Sequence, residues 1–342
     1  MATRVPFAPE MDDWRASRAT RPALAQLAHC DTPRFTLEAV ARRWEPRICE
    51  VKMTLGENAV NSAVDALESV EALDGAALKL AGAVSNAVPV GVPRDALSGT
   101  WLGHALHPLL TDVVIGSFIS ATLLDLLGGQ DTGRASERLI EVGLVTAAPT
   151  VASGLTDWAL TVYGDRRTRP VGLVHASANL TASALYAASL AARRRGVPGR
   201  ARLLSLAGGA ALSVGGLLGG HLSFTRGVGV NETAFDEGPR DWTTVDTAKL
   251  EDGKPTSGMA GDTPVLLLRH DGHLHALHDR CSHRGCELSA GQVEGESVTC
   301  PCHGSRFSLR DGSIERGPAT ARQPVFETRE SDGRIEVRLP AA

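Results

Sequence analysis

The sequence predicts a multi-domain chain: an α-helical transmembrane four-helix bundle followed by an all-β metal-binding domain. Three observations carry this. Four apolar stretches run roughly 109–127, 139–160, 171–192 and 203–224, each bounded by polar loops. The pairs Cys281-Ser-His283 and Cys300-Pro-Cys-His303 lie close together near the C-terminus. Around them, Asp271-Gly272, Asp311-Gly312 and Asp332-Gly333 each interrupt a strand-like run. The division read from these is residues 1–95 as a partly helical N-terminal region, 96–227 as the four-helix domain, 228–240 as a linker and 241–342 as the β domain.

Composition narrows the function classes. The 342 residues carry a net charge of −4, and no basic stripe interleaves with aromatics, so nucleic acid is not an expected partner. Residues 1–31 lack the apolar core of a secretory signal. Cys30 and Cys49 fall in no recognisable pattern. From Asn58 to about Val88 the periodicity is helical, as for an amphipathic helix in the protein or on a membrane surface, and Pro89 and Pro93 end it.

Each apolar stretch is about twenty residues, enough to span a hydrocarbon core of about 30 Å at 1.5 Å per residue. The third holds no charge, whereas the first two contain Asp112, Asp125, Glu141, Pro149 and Asp157. The last two lack the polar face of a soluble helix. Trp101, Trp158 and Tyr163 stand at segment ends, as an aromatic belt requires. Gly215, Gly216, Gly219 and Gly220 form two Gly-x-x-x-Gly pairs, read as close helix packing, with a flat cofactor as the alternative.

Up-down order brings His104, His107, His175 and His221 to one side, with Asp112, Asp157, Trp158 and Asn179. Ionisable groups in membrane segments are costly and mark sites. These histidines are therefore candidate cofactor residues. His175 and His221 are the first choice as axial ligands of haem b. A quinone head group, a divalent metal or plain contact with lipid head groups are the alternatives.

Loop charges address orientation. Arg134, Arg138, Arg193, Arg194, Arg195, Arg200 and Arg202 flank one side; Arg94, Arg166, Arg167, Arg169 and Arg226 flank the other. That excess would place the β domain outside. The lack of a leader argues the other way, and the expectation taken is a multi-pass protein of a bacterial cell membrane with the β domain cytoplasmic.

In the β domain, Asp-Gly between strand runs is a hairpin signal, because a type I′ turn needs two residues at positive φ. Val265–Leu268 and Arg334–Leu339 are such runs. His270, His273, His275 and His278 have no thiolate partner and read as a solvated strand face. Cys281, His283, Cys300 and His303 are the metal ligands. A tetrahedral zinc site could use the same atoms.

The string CSHRGC…CPCHGS over the last 105 residues or so resembles the Rieske [2Fe–2S] proteins, those of quinol–cytochrome c reductases and the Rieske ferredoxins. The resemblance implies that Cys281 and Cys300 bind one iron and His283 and His303 the other. It implies a disulfide between Cys286 and Cys302, against two buried free thiols as the plain alternative. Gly317-Pro318 falls where that family has a third loop covering the cluster. Ser305 matches the family's hydroxyl donor to a bridging sulfide. Phe307 stands where a tyrosine would add a second bond, so the potential should be lower. Arg284 takes a tip position that is apolar in the quinol-oxidising subfamily and often Arg in ferredoxins. The stretch Gly103-His-Ala-Leu-His-Pro-Leu-Leu, with the helices up to Gly-Gly-His221-Leu, resembles a functionally uncharacterised family of bacterial four-helix membrane domains.

The function expected is a membrane-bound electron-transfer protein, an oxidoreductase component. Its cluster would exchange electrons with a haem or quinone site among the membrane histidines. Its partners would be a redox protein or the quinone pool, and the lipid bilayer, with a homo-oligomer as a further option. The alternatives are a ferredoxin-like module that the helices only tether, and a quinol oxidoreductase.

Overall fold

The computed structural model describes residues 54–342 apart from 130–131, 248–249, 332 and 342. The readings made on Cys30, Cys49, residues 1–31 and Asp332 lie outside the described residues.

Three short helices come first: α1 (Thr54–Glu68), α2 (Asp74–Ala87) and α3 (Val92–Ser98). The single helical stretch expected here is broken after Glu68, where the Ser69 hydroxyl turns back to the Ala66 carbonyl at 2.7 Å. Val88, held out of the helical region by Pro89, ends α2. Pro93 then sits in the first turn of α3, where its missing N–H costs nothing.

Four long helices follow: α4 (Leu106–Leu127), α5 (Gly133–Thr161), α6 (Thr168–Arg194) and α7 (Pro198–Gly220), the last running into a π turn at His221–Thr225. They begin earlier than the apolar stretches, because the helical backbone continues through the polar ends. Three of them, α4, α5 and α7 with its π turn, are long and apolar enough to cross a membrane. In α6 the Ser, Thr, Asn and His residues dilute the apolar content, and it is not among the three. The bundle core is built on Phe118 stacked on Tyr186 at 4.0 Å, with the Tyr186 hydroxyl and Thr122 Oγ1 2.7 Å apart. At the end remote from the β domain, Arg193 pairs with Asp125 deep in the bundle.

Trp158 does not join an aromatic belt. It is 6% exposed and donates its indole N–H to the Thr168 carbonyl at 3.0 Å, which packs α2 against the end of α5. Trp101 and Tyr163 are exposed, as a belt requires. The Gly-x-x-x-Gly faces also resolve. A Cβ on Gly215 would lie 2.5 Å from Asn179 and one on Gly219 2.9 Å from His175, so these two admit α6 rather than a flat cofactor. A Cβ on Gly216 would meet nothing within 4 Å.

The β domain holds β1 (Thr243–Thr247), β2 (Thr256–Ala260), β3 (Thr263–His270), β4 (His273–His278), β5 (Gln292–Glu294), β6 (Ser297–Thr299), β7 (Arg306–Ser308), β8 (Ile314–Arg316), β9 (Glu327–Ser331) and β10 (Arg334–Arg338). One antiparallel sheet has the order β4-β3-β2-β1-β10-β9 and the other β5-β6-β7-β8. Asp271 at φ 50° and Gly272 at φ 77° make the expected two-residue turn between β3 and β4. Asp311-Gly312 does not: only Gly312 has positive φ, and the loop is longer, closed by Ser308 N–H to the Ser313 carbonyl at 2.9 Å. The histidine strand face also needs correcting. His273 is exposed, but His278 is fully buried, its Nε2 3.2 Å from Asp236, because β4 runs inward toward the metal loops.

Candidate metal centre

Two loops of matching design present the ligand residues. In the first, Cys281 N–H donates to the Cys286 carbonyl at 2.8 Å and Gly285 N–H to the Cys281 carbonyl at 2.8 Å. In the second, Cys300 N–H donates to the Ser305 carbonyl at 2.8 Å and Gly304 N–H to the Cys300 carbonyl at 3.1 Å. Gly285 and Gly304, at φ 72° and 80°, supply the left-handed residue that each return needs. The disulfide Cys286–Cys302, with Cα atoms 6.5 Å apart, ties the loops together.

Four donors converge between them. The Cys281 and Cys300 sulfurs are buried and hydrogen-bond one another, which brings the Cys300 thiol down to about 7 and raises that of Cys281. Loop amides of His283 and Arg284 point at the Cys281 sulfur, and those of Cys302 and His303 at Cys300. The His283 and His303 rings stand edge to face at 5.1 Å, and both Nδ1 atoms are buried without a partner. Burial pushes the His283 ring down to about 3, with His303, Arg284 and Arg94 adding to the effect; burial also lowers His303. Both imidazoles are therefore neutral, the form that ligates metal. Two buried sulfurs and two orphaned imidazole nitrogens fit a thiolate–imidazole metal centre. The Ser305 hydroxyl, fully buried, accepts from Ala319 N–H at 3.0 Å. Phe307 is fully buried in the core that holds both ligand sulfurs.

Further residues position these loops. Gln323, 2% exposed, donates to the His278 and Arg280 carbonyls and accepts from Ser282 N–H at 2.9 Å. The Asp279 carboxylate holds Ser289 and Ser257. Neither had a pattern in the sequence: each is an isolated polar residue without spacing.

The imidazole edge faces the helical part of the chain. Gly317 N–H, in the third loop, donates to Asp95 Oδ1 of α3 at 3.0 Å. Thr100 Oγ1 donates to the Ala319 carbonyl at 3.4 Å, and Arg284 to the Gly227 carbonyl at 2.8 Å. The Leu160 carbonyl, at the end of α5, meets the His303 ring. Between these parts lies a cavity of about 40 Å³ lined by Ser98, Asp157, Asn231, His283 and Arg284 among others. It has room for water, since about 10–15 Å³ of such space admits one molecule.

The membrane histidines separate. His107 donates Nδ1–H to the Thr150 carbonyl at 3.0 Å and His175 to the Gly215 carbonyl at 2.8 Å. These two are near enough for their charges to interact. His221 is held by another partner: its Nε2 lies 2.7 Å from Glu68 Oε1, and Arg226 donates to both oxygens of that carboxylate. The reason is a buried carboxylate, Glu68, delivered by α1 from a region with no readable motif. His104 and Asp112 are exposed.

Residues 241–327 match the family model "Rieske [2Fe-2S] domain", and residues 103–232 match "Predicted membrane protein (DUF2231)". The ferredoxin subunit of anthranilate 1,2-dioxygenase from Burkholderia cepacia is 35% identical over 91 residues, covering 27% of this chain and 84% of that one. The cytochrome b6-f complex iron-sulfur subunit 1 of Synechocystis sp. is 37% identical over 81 residues, 23% of this chain and 44% of that one. This chain thus spans less than half of the second relative. The ferredoxin of carbazole 1,9a-dioxygenase from Nocardioides aromaticivorans IC177 aligns over 29% of this chain and 98% of its own, with 24% identity and a TM-score of 0.27.

Proposed function

This chain belongs to the Rieske [2Fe–2S] protein family, and from that premise we propose that it is a membrane-bound one-electron carrier whose cluster edge faces its own helical domain. Cys281 and Cys300 hold one iron; His283 and His303 hold the other through Nδ1. When bound, the [2Fe–2S] cluster supplies reversible one-electron exchange. The chain's own residues bury the sulfur ligands, keep the imidazoles neutral and offer the Ser305 proton to the site. The four long helices form the membrane domain of a multi-pass protein in a bacterial cell membrane, α6 being its fourth and most polar span. The β domain lies on the cytoplasmic side.

The observation that carries this reading is the seating of the third loop on α3 through Gly317 N–H and Asp95. It points the imidazole edge at the end of α5 rather than at water. Exchange with a centre in or below the membrane domain is favoured over exchange with a soluble partner in this posture.

A second reading concerns the membrane domain itself. A backbone carbonyl only accepts, so His107 and His175 carry their protons on Nδ1 and present Nε2 as the acceptor; that of His175 has the Asn179 amide nitrogen 3.4 Å away. That is the tautomer a haem iron or a quinone carbonyl partner would require, and it favours this pair over His221. A reduced-minus-oxidised spectrum of the detergent-purified protein tests both. A Rieske absorption with haem bands supports a two-centre carrier. The Rieske absorption alone, with haem supplied during expression, leaves a quinone site or a tethered module. No Rieske absorption, with iron present, refutes the reading.

A further inference from the structure

Arg94 is buried to 6% exposure in α3, yet no carboxylate pairs with it among the described residues. One terminal nitrogen donates to the Val88 carbonyl at 2.9 Å, and the buried Nε has no acceptor. Its neighbour Asp95 supports the guanidinium by its charge but makes no ion pair with it, and gives Oδ1 to Gly317 N–H. Guanidinium stays protonated in proteins, and a buried charge without a counter-charge is strongly unfavourable. Arg94 therefore lacks an anion in direct contact among the described residues.

Its surroundings say where that anion is. Val90, in the turn leading into α3, lies 3.6 Å from the position of a Cβ on Gly304, the residue after His303. The loop carrying Gly317 hangs from the next residue of α3. The charge of Arg94 bears on both His283 and His303, as does that of Arg284. Arg284 is bound to the carbonyl of Gly227, just before the linker, so both cations stand where the β domain meets the helical part.

The charge of the bound centre follows from its chemistry. Two ferric ions, two sulfides, two thiolates and two neutral imidazoles sum to zero, and one added electron leaves one negative charge. We propose that Arg94 is the counter-charge of the reduced cluster, so that reduction tightens the seating of the β domain on α3 and seating raises the reduction potential. The proposal rests on the Rieske reading above. The electron comes from the protein's redox partner or, in the test, from dithionite; no bond forms or breaks, and Arg94 keeps its proton. By linkage the two effects are one coupling seen from two sides. A tenfold preference of the seated form for the electron, ordinary for such coupling, equals about 59 mV for one electron.

The full-length protein is titrated in detergent, with the electron paramagnetic resonance signal of the reduced cluster as readout. Arg94→Gln should lower the midpoint by about 59 mV, and Arg94→Lys, which keeps the charge, should restore most of it. In the unaltered protein, hydrogen exchange over residues 227–240 and around Gly317 should be about tenfold slower in the reduced than in the oxidised state. An unchanged midpoint in Arg94→Gln overturns the proposal. So does equal exchange in the two redox states, a measurement that needs no variant and decides the matter if Arg94→Gln does not fold. Absence of any cluster signal in the unaltered, iron-loaded protein would instead sink the Rieske reading.

Discussion

Replacing Cys286 and Cys302 together by serine removes the covalent tie between the two ligand loops. The cysteines are 16 residues apart in sequence. Releasing a loop of that length returns about 3 kcal/mol of entropy to the unfolded chain. The remaining bonds do not compensate. Cys281 N–H to the Cys286 carbonyl and Cys300 N–H to the Ser305 carbonyl each close a loop on itself, so neither holds one loop to the other. The Cys300 sulfur lies within 4.8 Å of both disulfide sulfurs, so loosening is felt directly at a ligand. Urea-dependent loss of the cluster absorption in the full-length protein measures the effect. The double variant should lose its cluster with an equilibrium shifted by about a hundredfold, since about 1.4 kcal/mol is tenfold. A shift of less than tenfold would refute the view that the disulfide holds the loops in register.

Further outcomes follow from other parts of the structure. Burial works to raise the Glu68 carboxyl, but hydrogen bonds from Arg226 and His221 outweigh it and the net shift is downward. A depressed carboxyl stabilises the fold above its unfolded value of about 4.3 and loses that contribution as pH falls through the folded one. Proteolysis of the linker after Arg226 should therefore be flat from about pH 7 to 5 and rise on further acidification; a rise beginning within that window would contradict the ion pair's role. Phe307→Tyr places a hydroxyl in the core holding the ligand sulfurs. One added hydrogen bond of about 1 kcal/mol raises the potential by about 40 mV; no change or a fall in the redox titration counts against it. Gly219→Leu collides with His175, whereas Gly216→Leu meets open space. The first should cost about 1–3 kcal/mol in thermal unfolding and the second little; equal losses would contradict the assigned helix face.

The convergence of the two Cys–His pairs was legible because a thiolate–imidazole centre needs fixed residue types at short spacing. Cys281, His283, Cys300 and His303 lie in two loops, and the loops can be read without knowing the rest. The β3–β4 turn was legible for the same reason, since Asp271-Gly272 fits a turn defined by two residues. Asp311-Gly312 looked identical and folded differently, because a longer loop needs only one residue at positive φ. Long-range partners left no trace in local pattern. His221 looked like a haem ligand until α1 delivered Glu68 to it, and His278 looked solvated until Asp236 covered it. Arg94 read only as one loop charge among several, and Asp95 carried no signal. Their role depends on where the third loop comes to rest, and no periodicity encodes that.

The account turns on the seating of the imidazole edge against α3 and the end of α5. Val92 in α3 is 82% exposed and accepts a probe without entering the seam. With Cys30 and Cys49 changed to serine, a nitroxide on Val92→Cys and the unpaired spin of the reduced cluster give a distance by pulsed electron paramagnetic resonance. A single short, narrow distribution in membranes is the result the account predicts. A long or broad distribution, with the cluster intact, would contradict it.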